Sequence, residues 1–404
     1  PRAGGTGNSG ISATTGHSTA RTLEVKKPPT PSAASGHALR NINLALQGGG
    51  SHGAFTWGVL DALLEDGRVS IEAITGASAG AMNAVALADG WLKNPADPRS
   101  GAREALEKFW RAVADSPGFS SFTNPAMDSM TGNFSLEKNP AFIGFDLLSR
   151  LASPYQLNPL NVNPLRSVLD AQIDFERINA QTALQLYVCA TNVRTGRVKV
   201  FGSGREDGLT TDCLLASSCL PFVFQAVEVK GEHYWDGGYM GNPSLFPLFK
   251  STTSPDILLV QINPLVRENV PDTSSEIIDR VNEISFNATL MMEMRAIEFV
   301  QRLIDDGQLR ANDPEHPVAR AGHLVRSVLR RQHPKREQYK RIFMHLIEGG
   351  KYLHDFGASS KYNSNWTLLS NLRDIGRTAA QEWLQHHLHQ VGVKSSIDVA
   401  KTFL

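Results

Sequence analysis

The chain has 404 residues, with 40 Lys+Arg balanced by 40 Asp+Glu, so its formal net charge is zero and a global basic field for nucleic acid is excluded. At 41% hydrophobic and 20% charged residues it can bury an ordinary core, which excludes wholesale disorder, and its length suits one large domain with an extension or two domains. Cys189, Cys213 and Cys219 are odd in number and lack metal-ligand spacing. Neither a disulfide framework nor a metal site is expected, and a reducing compartment is the simpler setting. No run of 18 apolar residues predicts a membrane-spanning helix, and no charged start followed by an apolar stretch predicts a Sec-type leader.

Residues 1–38 are rich in Gly, Ser, Thr, Ala and Pro. They cannot bury enough apolar surface to offset ordering entropy and are expected to form a flexible tail. Arg2, Arg21, Lys26 and Lys27 stand there against Glu24 alone, which leaves a transit or export signal open. From Ile42 the stretch INLALQ predicts a buried strand running into Gly48-Gly49-Gly50. Phe55, Val59, Leu60, Leu63 and Leu64 then recur at helical spacing, with Gly67 as the stop. IEAIT predicts a second strand, followed by Gly76-Ala77-Ser78-Ala79-Gly80 and a helix over AMNAVALADGWL. Strand, turn and helix repeated in that order imply a parallel sheet.

Residues 116–166 read as an irregular, Phe- and Pro-rich insertion with short helices. Strands return with LQLYVCAT, a hairpin about Thr195-Gly196, a second hairpin from AVEV to HYWDGG, and DILLVQI, with a helix over LLASSCL. From 274 onward the pattern is mainly helical.

Gly48-Gly49-Gly50-Ser51-His52-Gly53 satisfies G-x-G-x-x-G literally, but no acid ends the second strand to hold a ribose and no Lys-Ser/Thr pair marks a P-loop. A glycine-rich helix N-terminus also suits the developing oxyanion of an ester. Gly76-Ala77-Ser78-Ala79-Gly80 supplies the matching nucleophile, since G-x-S-x-G between strand and helix is a nucleophile elbow whose small flanks permit a sharp turn. The elbow follows only the second strand, unlike an ordinary α/β-hydrolase. Asp236, at the end of a hairpin strand and followed by Gly237 and Gly238, is the candidate acid.

These stretches together resemble the patatin-like phospholipase family: QGGGSHGAFTWGVL, GASAG and DGG, with LLASSCLPFVF between them, over roughly residues 42–262. The resemblance implies an α/β fold with a mainly parallel central sheet, helices on both faces and a helical C-terminal region. It implies a lipid acyl hydrolase cleaving carboxylic esters without a cofactor, through Ser78 as nucleophile and Asp236 as base. The loop of Gly48, Gly49, Gly50, Ser51 and Gly53 would form the oxyanion hole, its donors coming from Gly49, Gly50 and Ser51. Two positions depart from the family: Gln47 stands where many members have Asp, and His52 where Arg or Lys is usual.

The expected division is a tail at 1–38, a catalytic region at 39–265 with 116–166 as a cap over the acyl site, and a helical region at 266–404. Acyl transfer to another alcohol, lipid binding without turnover, and nucleotide-dependent redox chemistry are the competing readings. His52 and His233 are expected to be structural, Cys213 and Cys219 packing residues, and Met291, Met292 and Met294 core. His386, His387 and His389 are too adjacent for a metal site. Eight Lys/Arg and one acid between Arg320 and Arg341 could touch anionic head groups or form a solvated face. The expected setting is cytoplasmic or peripheral at a membrane, with export open. The sequence is silent on oligomeric state, head group and acyl length.

Overall fold

A computed structural model describes residues 39–117, 134–137, 139–206, 208–311, 338–353, 356 and 358–404. The expected 1–38 tail and most of the basic 320–341 stretch lie outside them. Leu39–Leu404 form one compact unit. β1 (Arg40–Leu46) leads through a 3-10 turn (Gly50–His52) into α1 (Gly53–Asp66); β2 (Val69–Ala77) leads into α2 (Ala79–Lys93), and α3 (Pro98–Asp115) follows. α1 stops as expected: Gly67 takes φ 78° and its N–H donates to the Leu63 carbonyl. In the insertion lie α4 (Pro140–Leu151), a turn of helix at Pro154–Leu157, and α5 (Pro164–Gln172). Asn139 and Asn163 cap α4 and α5, each with Pro in the first turn, where its missing N–H costs nothing.

β3 (Gln185–Asn192) and β4 (Val198–Gly202) form the first hairpin, and α6 (Thr211–Ser217) precedes a second, β5 (Val227–Val229) and β6 (Glu232–Asp236). Lys230 and Gly231 both take positive φ in its two-residue turn, the geometry that matches strand twist. β7 (Asp256–Gln261), α7 (Ser274–Asp305), β8 (Phe343–Glu348) and α8 (Trp366–His386) complete the frame.

The eight strands make one sheet in the order β8-β7-β1-β2-β3-β6-β5, with β4 also on β3. β8, β7, β1, β2 and β3 run parallel; the hairpin strands add antiparallel pairs. The fold class is therefore the expected one, with one addition: within the mainly helical C-terminal stretch, β8 joins the central sheet beside β7. Alternation along the strands feeds both faces. Leu44, Leu46, Leu258 and Val260 join α1, α2, α3 and α8 on one side, and Ala45, Ile257, Leu259 and Met344 join Leu290 and Met294 of α7 on the other. Burying a leucine fully contributes about 1.5–3 kcal/mol, so both layers are strongly held. Helices approach where side chains vanish: a Cβ on Gly58 would lie 1.9 Å from the Arg373 carbonyl oxygen of α8.

Among the methionines expected in the core, Met294 is buried but Met292 is 69% exposed on the outer face of α7. Cys213 lies in α6, whereas Cys219 lies just past its end; both are buried thiols. No helix among the described residues is long and apolar enough to cross a membrane, and they contain no cluster of metal-ligating side chains.

Candidate active site

Parallel pairing of β1 with β2, with Leu46 opposite Gly76, brings both glycine-rich turns to the same carboxyl edge of the sheet. They meet closely: a Cβ on Gly48 would sit 2.7 Å from Ser78 Cβ, and one on Gly80 would sit 2.2 Å from the Leu46 carbonyl oxygen. Ser78 takes φ 51° and ψ −126°, a strained conformation for a residue with a Cβ, costing on the order of 1–3 kcal/mol. The strain is held in place from several sides. Ser78 N–H donates to Ser217 Oγ at 2.9 Å. Asn83 Nδ2 donates to the carbonyls of Gly53 and Ala79, both at 3.0 Å, and its Oδ1 accepts from Trp110 Nε1. The starts of α1 and α2 are thus tied together beneath the turn.

Asp236 reaches the same edge through the sheet. Ala77 pairs with Cys189 of β3, and the next residue of β3, Ala190, pairs with Asp236 at the end of β6. The Ser78 side chain lies beside the Asp236 carboxyl and favours its charged form. Asp236 is 1% exposed, its N–H donates to the Cys219 carbonyl at 2.8 Å, and its Oδ1 accepts from Gly238 N–H at 2.7 Å. Burial pushes its carboxyl up to about 7; the bond from Gly238 N–H and the neighbouring Ser78 side chain pull the other way without cancelling it. The glycines after it are steric necessities: a Cβ on Gly237 would lie 2.1 Å from the Cys189 carbonyl oxygen, and one on Gly238 would lie 2.2 Å from Phe286 Cε1 of α7. Tyr234 is buried and meets Phe201 edge-on, whereas Trp235 is only partly buried.

In the first loop the donors divide. Gly48 N–H is committed to Asn242 Oδ1 at 2.7 Å, and Gly53 N–H turns back to the Gly50 and Ser51 carbonyls. Gly49 and Gly50 N–H have no partner among the described residues. Gly50 adopts φ 58°, which favours glycine. Gln47 is the loop's anchor: its Oε1 accepts from the N–H groups of Ile262 and Asn263, and its Nε2 donates to Asn287 Oδ1 at 2.8 Å.

A family model for patatin-like phospholipases matches residues 44–249, just over half of the chain. The chain belongs to the patatin-like phospholipase family. Membership brings lipid hydrolysis as the class of activity, and it accounts for the two glycine-rich turns and the Asp-Gly-Gly stretch on one sheet edge. Among solved structures the chain is similar to VipD from Legionella pneumophila, with 16% identity and a TM-score of 0.37 over 88% of this chain and 68% of that one. It is also similar to the ExoU–SpcU complex from the type III secretion system of Pseudomonas aeruginosa, with 20% identity and a TM-score of 0.27 over 62% of this chain and 51% of that one. No curated protein sequence matches the chain.

Neither histidine shares a hydrogen bond with Ser78 or Asp236 among the described residues. His52 is buried with Nε2 on Ser360 Oγ at 2.7 Å, and burial, assisted by the Lys361 charge, lowers its pKa to about 3, so it is neutral at physiological pH. His233 lies exposed on the hairpin, 4.0 Å from Glu228. The braces Ser217, Asn242, Asn263 and Asn287 were not anticipated. They lie far along the chain from the turns they hold, and a lone Ser or Asn carries no pattern.

Proposed function

We propose that this member hydrolyses carboxylic esters of lipids through an acyl-enzyme on Ser78, with Asp236 as its base. The observation that carries this reading is the meeting, on one sheet edge, of the strained Ser78 turn with a buried carboxyl whose pKa burial raises to about 7. An ordinary aspartate, near 3.9, is too weak a base, whereas burial gives Asp236 a proton affinity suited to neutral pH. Ser78 Oγ attacks the ester carbonyl as its proton passes to Asp236. The tetrahedral oxyanion accepts from Gly49 and Gly50 N–H, and the leaving alkoxide takes the proton back from Asp236. Water then adds to the acyl-enzyme with Asp236 again accepting a proton, and Ser78 Oγ departs protonated, releasing the fatty acid.

α4 is the candidate cap of the acyl site. Ile143, Leu147, Leu148 and Leu151 are all at least half exposed on it, an apolar display a water-facing helix does not need. Phe142 contacts Tyr362 of the turn that also carries Lys361. The test is fluorophosphonate labelling with a phospholipid, lysophospholipid and glyceride panel. Labelling should map to Ser78, and Ser78→Ala should abolish both labelling and fatty-acid release while the protein stays folded. Near-native turnover by Ser78→Ala would refute the reading.

A further inference from the structure

The loop that would bind the oxyanion contains no positive charge of its own, because His52 is neutral and Gln47 and Ser51 are uncharged residues. A cation nevertheless reaches it from the far end of the chain. Lys361 sits in a 3-10 turn, Ala358–Tyr362, that packs on the Gly50–His52 turn, with its carbonyl oxygen 2.5 Å from where a Gly50 Cβ would be. Its ammonium donates to Asn263 Oδ1 at 2.8 Å. Asn263 Nδ2 in turn donates to the Gly48 carbonyl at 3.0 Å. The Asn263 amide cannot be turned over without losing both bonds, and Gln47 Oε1 also accepts from its Nδ2 at 3.3 Å.

We propose that Lys361 is a positioning residue for ester hydrolysis: through Asn263 it polarises the Gly48–Gly49 peptide and strengthens the Gly49 N–H as an oxyanion donor. Gly48 C=O and Gly49 N–H are the two ends of one conjugated amide, so drawing electron density toward the oxygen makes the nitrogen's hydrogen more positive. The same logic holds one step back, where an ammonium on Asn263 Oδ1 makes its Nδ2 a stronger donor. Lys361 has no ion pair among the described residues. The acid that acts on it most, Glu283, is itself engaged by Arg267 and Arg280. Withdrawal from water lowers the lysine's pKa, so the ammonium is held there at a cost that packing alone does not require. The inference rests on the oxyanion assignment above.

A direct oxyanion donor is worth about 10²–10³-fold in rate. Polarisation strengthens a hydrogen bond by about 10–30%, so losing the relay should cost roughly 2- to 8-fold. The experiment measures kcat and KM on p-nitrophenyl butyrate for Lys361→Met, Lys361→Gln and Lys361→Arg, each checked for folding by thermal unfolding. The neutral variants should lose kcat at unchanged KM, and Lys361→Arg, which keeps the charge, should recover most of it. In an Asn263→Leu background the Lys361→Met change should have little further effect, since the route is already cut. Wild-type kcat in both neutral variants would overturn the proposal. So would a full, additive loss in the Asn263→Leu background, or equal losses in the neutral and Arg variants. A wild-type protein without Ser78-dependent turnover would instead overturn the hydrolase reading and this inference with it.

Discussion

Replacing Asp236 by Asn should inactivate the enzyme and stabilise it at the same time, with the stabilisation growing from about pH 4 to a plateau above about pH 7. The carboxyl moves from 3.8 to about 7 on folding because it is buried, with only Gly238 N–H and the Ser78 hydroxyl to compensate. A group whose folded pKa is raised contributes its full stability below the unfolded value and loses it as pH rises through the folded one. The roughly three-unit rise, at 1.36 kcal/mol per unit, makes the ionised side chain a burden of about 4 kcal/mol above pH 7, nothing near pH 3, and a graded amount between. Asn is neutral throughout and keeps an oxygen for Gly238 N–H. With an unfolding entropy of about 2.1 cal/mol/K per residue, 4 kcal/mol over 404 residues corresponds to roughly 5 °C in Tm. Thermal unfolding of wild type and Asp236→Asn from pH 4 to 9 measures this directly. The two curves should converge at the acid end, separate progressively above about pH 4 with the variant higher, and reach full separation above about pH 7, while wild-type kcat/KM rises through pH 7 to a plateau. A Tm difference independent of pH, or a wild type favoured at pH 8, would refute the claim that burial tunes this carboxyl.

Three further outcomes follow from the geometry. Gly50→Ala should lose about 10²-fold in turnover or more, because a Cβ there meets the Lys361 carbonyl oxygen at 2.5 Å and the residue must hold φ 58°; wild-type rates would remove that loop from the mechanism. His52→Gln and His233→Gln should each keep substantial activity and leave the rise through pH 7 in place. A folded histidine variant as inactive as Asp236→Asn would establish a Ser–His arrangement. Replacing Leu147, Leu148 and Leu151 of α4 by Ser should lower turnover of long-chain esters more than of butyrate, as these side chains are exposed and contribute little to stability; equal losses on both substrates would show that α4 is not the acyl cap.

What the sequence revealed about this fold was local or periodic. The strand at Ile42, the glycine stop at Gly67, the elbow about Ser78 and the hairpin ending at Asp236 each arise within a dozen residues, and backbone sterics write them into the composition. β8 was missed because Phe343–Glu348 is a short apolar run interrupted by His345. Nothing local distinguishes it from helix, and only pairing with β7 decides the matter. His345 is tolerated there because Asp256 meets its Nε2 at 2.9 Å, a partner 89 residues away. The same distance hides the braces of the site. Ser217 holds the elbow across 139 residues and Asn242 holds Gly48 across 194, each through one polar atom.

The family match ends at residue 249, and the chemistry assigned to Ser78 and Asp236 lies within it, as does the Asn242 brace on Gly48, yet several other groups that shape the loop do not. Gln47 hangs on Ile262, Asn263 and Asn287; His52 hangs on Ser360; Gly238 is walled by Phe286. α1, which begins at the loop, is covered by α8 so closely that Gly376 and Gly58 must both lack side chains. A glycine-rich loop has little stiffness of its own, so its donors stay aimed only if something outside it fixes each peptide. In this chain much of that framework comes from residues 262–376, with Asn83 and Asn242 adding to it. The two departures from the family pattern, Gln47 and His52, are the very side chains that plug into it. The loop and the C-terminal region thus act together: the loop carries no charged side chain of its own, and the distant segment supplies hydrogen bonds and a cation that brace it.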